Sequence, residues 1–113
     1  MEEIEMPAVS NLESSAGAMS ADLTFDPSAR YFKGHFPGFP VLAGVVQLCV
    51  ARRFAEKAFG CNAALKCVKK LKFSRVVQPG EKVHFSLSRK SDAEVAFAYE
   101  KGGVPCATGV MCF

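Results

Sequence analysis

Ala43-Gly44-Val45-Val46-Gln47-Leu48-Cys49-Val50-Ala51-Arg52-Arg53-Phe54-Ala55-Glu56-Lys57-Ala58-Phe59-Gly60 is the stretch on which the fold turns. Its pattern is helical from about Ala43. The first turns (Val45, Val46, Leu48, Cys49, Val50) are apolar on every side, so the spacing predicts a buried helix, not one laid on a surface. Farther on, Arg52, Arg53, Glu56 and Lys57 share one face, and Phe54, Ala55, Ala58 and Phe59 hold the other. The helix therefore emerges toward solvent near its C-terminal end, where Gly60 is a natural stop.

Working outward, four strand candidates and no second helix follow. Leu65, Cys67, Lys69, Leu71 and Phe73 alternate with Lys66, Val68, Lys70 and Lys72. Gln78-Pro79-Gly80-Glu81 is a turn signal. Val83, Phe85 and Leu87 then alternate with His84, Ser86 and Ser88, and Val95, Phe97 and Tyr99 with Ala96 and Ala98. Lys101-Gly102-Gly103 turns into a last strand, Val104 to Phe113. Upstream, Ala21 to Phe25 reads as a half-buried strand closed by Asp26-Pro27-Ser28, and Tyr31 to Pro40, rich in Gly, Pro and aromatics, reads as an ordered loop. Consecutive strands with short turns predict an antiparallel meander. One buried helix and such a run of strands pack as layers, with the sheet curled around the helix: an α+β fold.

The chain has 113 residues, half of them apolar, which suits a single domain over residues 1–113. Residues 1–18 carry weak signals and are expected to be partly mobile. The longest apolar stretch, Phe39 to Ala51, contains Gln47 and falls well short of the roughly 20 residues that cross a bilayer. The acidic MEEIEMPAVS lacks the basic and apolar regions of a signal peptide, so a cytoplasmic protein without membrane contact is expected. Five cysteines (Cys49, Cys61, Cys67, Cys106, Cys112) form no C-x-x-C pair and read as reduced thiols. Two histidines without clustered ligands argue against a metal site. Lys66, Lys69, Lys70, Lys72 and Arg75 could meet an acidic partner, although a solvated strand face is the commoner use of such a cluster. The cluster lacks the interleaved aromatics of a nucleic-acid surface.

Tyr31-Phe32-Lys33-Gly34-His35-Phe36-Pro37-Gly38-Phe39-Pro40-Val41-Leu42-Ala43-Gly44-Val45 closely resembles the G-H-F-P-x-x-P-(V/I)-x-P-G-V signature of hotdog-fold 3-hydroxyacyl-[acyl-carrier-protein] dehydratases. Downstream, Lys72-Phe73-Ser74-Arg75-Val76-Val77-Gln78-Pro79-Gly80-Glu81 is similar to the same family's K-F-x-x-x-V-x-P-G-(D/E) segment. The resemblance covers roughly residues 20 to 113, and its wording around Val45-Val46-Gln47-Leu48 resembles the small dehydratase-like proteins of aryl-polyene clusters. It implies a hotdog fold, an antiparallel sheet wrapped around one long central helix. It further implies a hydro-lyase without cofactor, acting on acyl thioesters of an acyl carrier protein or of CoA in fatty-acid or polyketide-type metabolism. A homodimer or higher homo-oligomer goes with it.

Dehydrating a 3-hydroxyacyl thioester needs a base for the C2 proton, an acid for the departing hydroxyl and donors for the thioester carbonyl. By the resemblance, His35 is the base; an imidazole with a pKa of about 6.5 is largely neutral at pH 7. Gly44 would lend its backbone N–H to the carbonyl oxygen, because early helical N–H groups lack intrahelical acceptors and carry the positive end of the dipole. Phe36, Phe39 and Val45 would line the acyl site. The family's carboxylate follows the histidine by fourteen residues, and 35 + 14 falls on Cys49. A thiol can donate a proton but does not anchor a water as a carboxylate does. Glu56 lies a further seven residues, roughly 10 Å, along the helix, and Gln47 is expected to point to another side. His84, on the polar side of its strand, is expected to be exposed and without a role.

Two other functions stay open. One is acyl-thioester hydrolysis, for which Cys49 could serve as nucleophile. The other is a non-catalytic acyl-binding or partner subunit, paired with a chain that supplies the carboxylate.

Overall fold

A computed structural model describes residues 6–26, 44–60, 64–78 and 80–113, and for Val45 the backbone alone. In chain order the elements are β1 (Ala8–Ser15), β2 (Ala18–Thr24), α1 (Gly44–Phe59), β3 (Cys67–Phe73), β4 (Lys82–Ser91), β5 (Glu94–Lys101) and β6 (Val104–Cys112). The six strands make one sheet in the order β1-β2-β4-β5-β6-β3, and every neighbouring pair is antiparallel. The expected α+β architecture is what the chain adopts.

Alternation along the central strands gives the sheet one apolar face. Met19, Ala21 and Leu23 of β2, Val83, Phe85 and Leu87 of β4, and Val95, Phe97 and Tyr99 of β5 are buried. Helix α1 lies against that face with Gln47, Val50, Ala51, Phe54 and Ala55, residues spaced at three and four as one helical stripe demands. Phe54 meets the Phe85 ring at 5.2 Å, and Phe85 meets Tyr99 at 4.9 Å. The helix ends at Gly60, whose N–H bonds the Glu56 carbonyl at 3.0 Å.

Three expectations are corrected. The start of α1 is not buried all round: Val46, Leu48 and Cys49 are half-buried, because this chain's sheet covers one side of the helix only. The strands are not a simple meander. β4, β5 and β6 are, but β3 crosses over to pair with β6, and the Gln78–Glu81 turn does not join paired strands. Strict alternation in β3 also fails. The register shifts between Lys69 and Lys72, with Lys70 at φ 54°. An extra residue in a bulge switches which side chains share a face. Val68, opposite Met111, and Phe73, opposite Ala107, face the core, whereas Cys67, opposite Cys112, joins Lys69 and Lys72 on the outer face.

The weak signals of residues 1–18 contain a strand. β1 is exposed along its whole length and forms a two-residue hairpin with β2 around Ala16 and Gly17. Its bulge sits at Asn11, φ 51°, whose side-chain amide donates to Asp22 Oδ2 at 2.8 Å. His84 Nδ1 lies 3.1 Å from the other oxygen of Asp22. His84 is exposed as expected, but it is engaged in this outer-face row. At the opposite end of the sheet, Gly102 and Gly103 take positive φ values of 57° and 82° in the two-residue β5–β6 turn, a conformation that glycine reaches without steric cost.

Candidate active site

Of the residues expected to act, Gly44 and Cys49 are described. His35, Phe36, Phe39 and the side chain of Val45 lie outside the described residues. Gly44 is the first residue of α1. Its Cα faces the ring of Phe73 so closely that a Cβ at this position would stand 2.7 Å from Phe73 Cζ. The first turn of α1 holds no acidic residue to neutralise its dipole. An acceptor placed at this helix end therefore meets backbone donors and the positive end of the dipole.

Cys49 is half-buried. It lies five residues after Gly44, about 140° around the helix at 100° per residue, so the two look to different sides of α1. Gln47 points to another side of α1 than Cys49, as expected, and is only 3% exposed. Its backbone carbonyl accepts a 2.7 Å hydrogen bond from the buried Tyr99 hydroxyl, which ties the first turns of α1 to β5. Phe73 was legible only as a strand residue. Its part as the wall over Gly44 depends on the β3 bulge, which turns it inward.

A groove of about 350 Å³ runs between the β1–β2 hairpin and the far end of α1, lined by Val9, Leu12, Met19, Phe54, Lys57 and Ala58. Lys57 is thirteen residues from Gly44, roughly 20 Å along the helix. The groove is thus separate from the helix start.

Among the described residues no group of three or more His, Cys, Asp or Glu side chains could hold a metal, and no helix is long and apolar enough to cross a membrane. Cys49, Cys67, Cys106 and Cys112 are free thiols. Burial first of all pushes the Cys106 thiol pKa above its usual range. The lysines and arginine around β3 are exposed as expected, with Lys69 paired to Glu94.

Comparison with known proteins bears on this arrangement. The family model described as ApeI dehydratase matches residues 11–110. A 3-hydroxyacyl-[acyl-carrier-protein] dehydratase FabZ of Shewanella pealeana is 32% identical over 97 residues, covering 73% of this chain and 63% of the relative. The FabZ of Lactobacillus helveticus is 35% identical over 72 residues, 56% of this chain and 49% of the relative. The chain thus spans between about half and just under two thirds of these curated relatives. Among solved structures, the dehydratase heterocomplex ApeI:P from Xenorhabdus doucetiae matches with a TM-score of 0.87 at 23% identity, covering 96% of this chain and 97% of the other. An uncharacterised protein from Erwinia carotovora subsp. atroseptica gives 0.77 at 20% identity, covering 98% and 95%. The fold is the hotdog fold that the signature implied. With residues 11–110 of its 113 matched, the chain belongs to the ApeI-like dehydratase family.

Proposed function

We propose that this chain is a dehydratase of 3-hydroxyacyl thioesters, carried on an acyl carrier protein or CoA in fatty-acid or polyketide-type metabolism. His35 takes the C2 proton. The backbone N–H at Gly44 receives the thioester carbonyl as enolate charge develops, and Phe36, Phe39 and Val45 line the acyl group. The observation that carries the reading is the start of α1, whose first backbone N–H groups carry the positive end of the dipole and whose first turn holds no acidic side chain. Oriented backbone donors of this kind are worth most where developing charge is shielded from water. The chemistry balances with an acid and a base and calls for no cofactor.

The acid is the incomplete part. Cys49 stands where the family signature has a carboxylate, and it looks to a different side of α1 from Gly44. This favours a second reading in which the acid comes from another chain. The open edge at β3 supports it. Leu71 and Phe73 of β3 are 44% and 47% exposed, and Val76 beyond its end 48%, so an apolar strip runs along the edge strand and past it. Association through this edge, with a second copy or with a related partner as in the ApeI:P heterocomplex, would place another chain's residues near Gly44.

The test incubates the protein with a 3-hydroxyacyl carrier-protein substrate and follows enoyl and free-acid products separately. Enoyl product is expected, and His35→Ala should lower its rate by about 10²-fold or more. Enoyl formed only by Cys49→Glu would establish a site that relies on a partner's acid. Free acid without enoyl would replace the dehydratase reading with a thioesterase, and enoyl formation unchanged by His35→Ala would remove the assigned base.

A further inference from the structure

Outside the proposed active site, one group of reactive side chains is brought together by the sheet itself. Cys67 opens β3 and Cys112 closes β6, and the two are direct cross-strand partners. Cys112 is in turn the partner of Glu94 on β5, so Glu94, Cys112 and Cys67 form one row across three strands. Cys112 Sγ lies 4.0 Å from Glu94 Oε2, and Glu94 is paired with Lys69 two residues along β3 from Cys67. Cys67 is exposed and Cys112 half-buried. The other described cysteines have no such neighbour: Cys106 is fully buried and bonded to its own strand through Val104, and Cys49 lies on α1.

We infer that Cys67 and Cys112 form a dithiol modification site, which small disulfides oxidise reversibly to a disulfide between β3 and β6. Facing residues of an antiparallel pair hold their Cβ atoms about 4.5–5.5 Å apart. A disulfide needs a Cβ separation of about 3.5–4.5 Å, so closure asks for a shift of about an ångström or less, which can fall on the end of β3, the edge strand. The neighbouring Cys67 side chain is the foremost cause holding the Cys112 thiol above its usual pKa, with burial second. The exposed Cys67 is accordingly the attacking sulfur.

The exchange is balanced by the incoming disulfide. The Cys67 thiolate attacks one sulfur of the small disulfide, whose S–S bond breaks and releases one thiolate. Cys112 then loses its proton to solvent and attacks the Cys67 sulfur, forming the protein disulfide and expelling the second thiolate. Two protein thiols are oxidised, and the small disulfide is reduced to two thiols. The bridge ties β3 to β6, its neighbour among the described strands.

The experiment equilibrates the 113-residue chain with oxidised and reduced glutathione, quenches it by alkylation and maps the peptides by mass. The expected result is a linked peptide pair containing Cys67 and Cys112, about 2 Da lighter than the two free-thiol peptides together, as two thiol hydrogens are lost. It should revert on adding excess reduced glutathione. Cys112→Ser should leave Cys67 as a glutathione mixed disulfide, because the resolving thiol is gone. Recovery of both cysteines as alkylated thiols would overturn the proposal. So would mixed disulfides as the only products in the unmodified sequence, or linkage of either cysteine to a different partner.

Discussion

Gly44 has room for a hydrogen and no more, because the Phe73 ring occupies the place of a Cβ. Phe73 is 47% exposed, so its ring can swing outward when crowded. Gly44→Ala should therefore cost about 1–3 kcal/mol, the usual range for an inserted methyl group, as read from urea unfolding. Shortening the wall with Phe73→Leu in the same chain should recover most of that loss, since the two positions are in contact and not additive. The Tyr99 hydroxyl makes a different kind of contribution. Its bond to the Gln47 carbonyl is buried at 2.7 Å, and Tyr99→Phe keeps the ring contacts to Phe85 and Phe97. A loss of about 1 kcal/mol in urea unfolding is expected, as for one buried neutral hydrogen bond. Gly44 was legible through the family signature that contains it. The company it keeps was not. Which ring covers it depends on a bulge twenty-six residues or more downstream, and the burial of Gln47 depends on which side of α1 meets the sheet.

At the scale of elements, hydrophobic period revealed α1, β2 and β4 to β6, since each buries one face and shows it in its spacing, whereas β3 was read from an alternation that its bulge breaks. β1 was missed for the corresponding reason: with every residue exposed, it carries no alternation to read. What fastens β1 is polar. Asn11 and His84 both bond Asp22, and these bonds, that of Asn11 first, hold the Asp22 carboxyl below its ordinary pKa of 3.8. A depressed carboxyl pKa gives stability that is present above the unfolded value and is lost as pH falls through the folded one. The advantage of the native chain over Asp22→Asn should thus be full near about pH 6 and vanish toward about pH 2, measured by thermal unfolding of both proteins across that range. A difference that persists unchanged in acid would mean that the carboxylate form is not what secures the hairpin. The β3 bulge was hidden for another reason, because Lys70 with φ 54° carries none of the glycine or asparagine signal that usually marks such a position.

For the molecule as a whole, the crossover that puts β3 beside β6 rather than β4 could not be read from periodicity, which records faces and not neighbours. It has a consequence for assembly. A strand with exposed apolar side chains, Leu71 and Phe73, becomes a sheet edge, on the side where Phe73 covers the start of α1. Leu71→Lys places a charge on that edge and is expected to weaken self-association at least about tenfold in sedimentation equilibrium, with the far-ultraviolet spectrum retained. Unchanged association would direct the search for a partner surface to another face. The family was legible because its signature is a run of twelve positions, Gly34 to Val45, whose glycines, prolines and histidine have fixed places. The acid of the reaction was not, because position 49 holds a thiol.

The central proposal is spatial: a thioester carbonyl rests on the first backbone donors of α1, with the His35 imidazole beside C2. A crystal structure with a non-hydrolysable 3-hydroxyacyl amide analogue tests it directly. The predicted result is the analogue's carbonyl oxygen about 3 Å from a backbone nitrogen at Gly44, with a ring nitrogen of His35 within hydrogen-bonding reach of the C2 hydrogens. An analogue bound away from the start of α1, or with its carbonyl pointing elsewhere, would contradict the account.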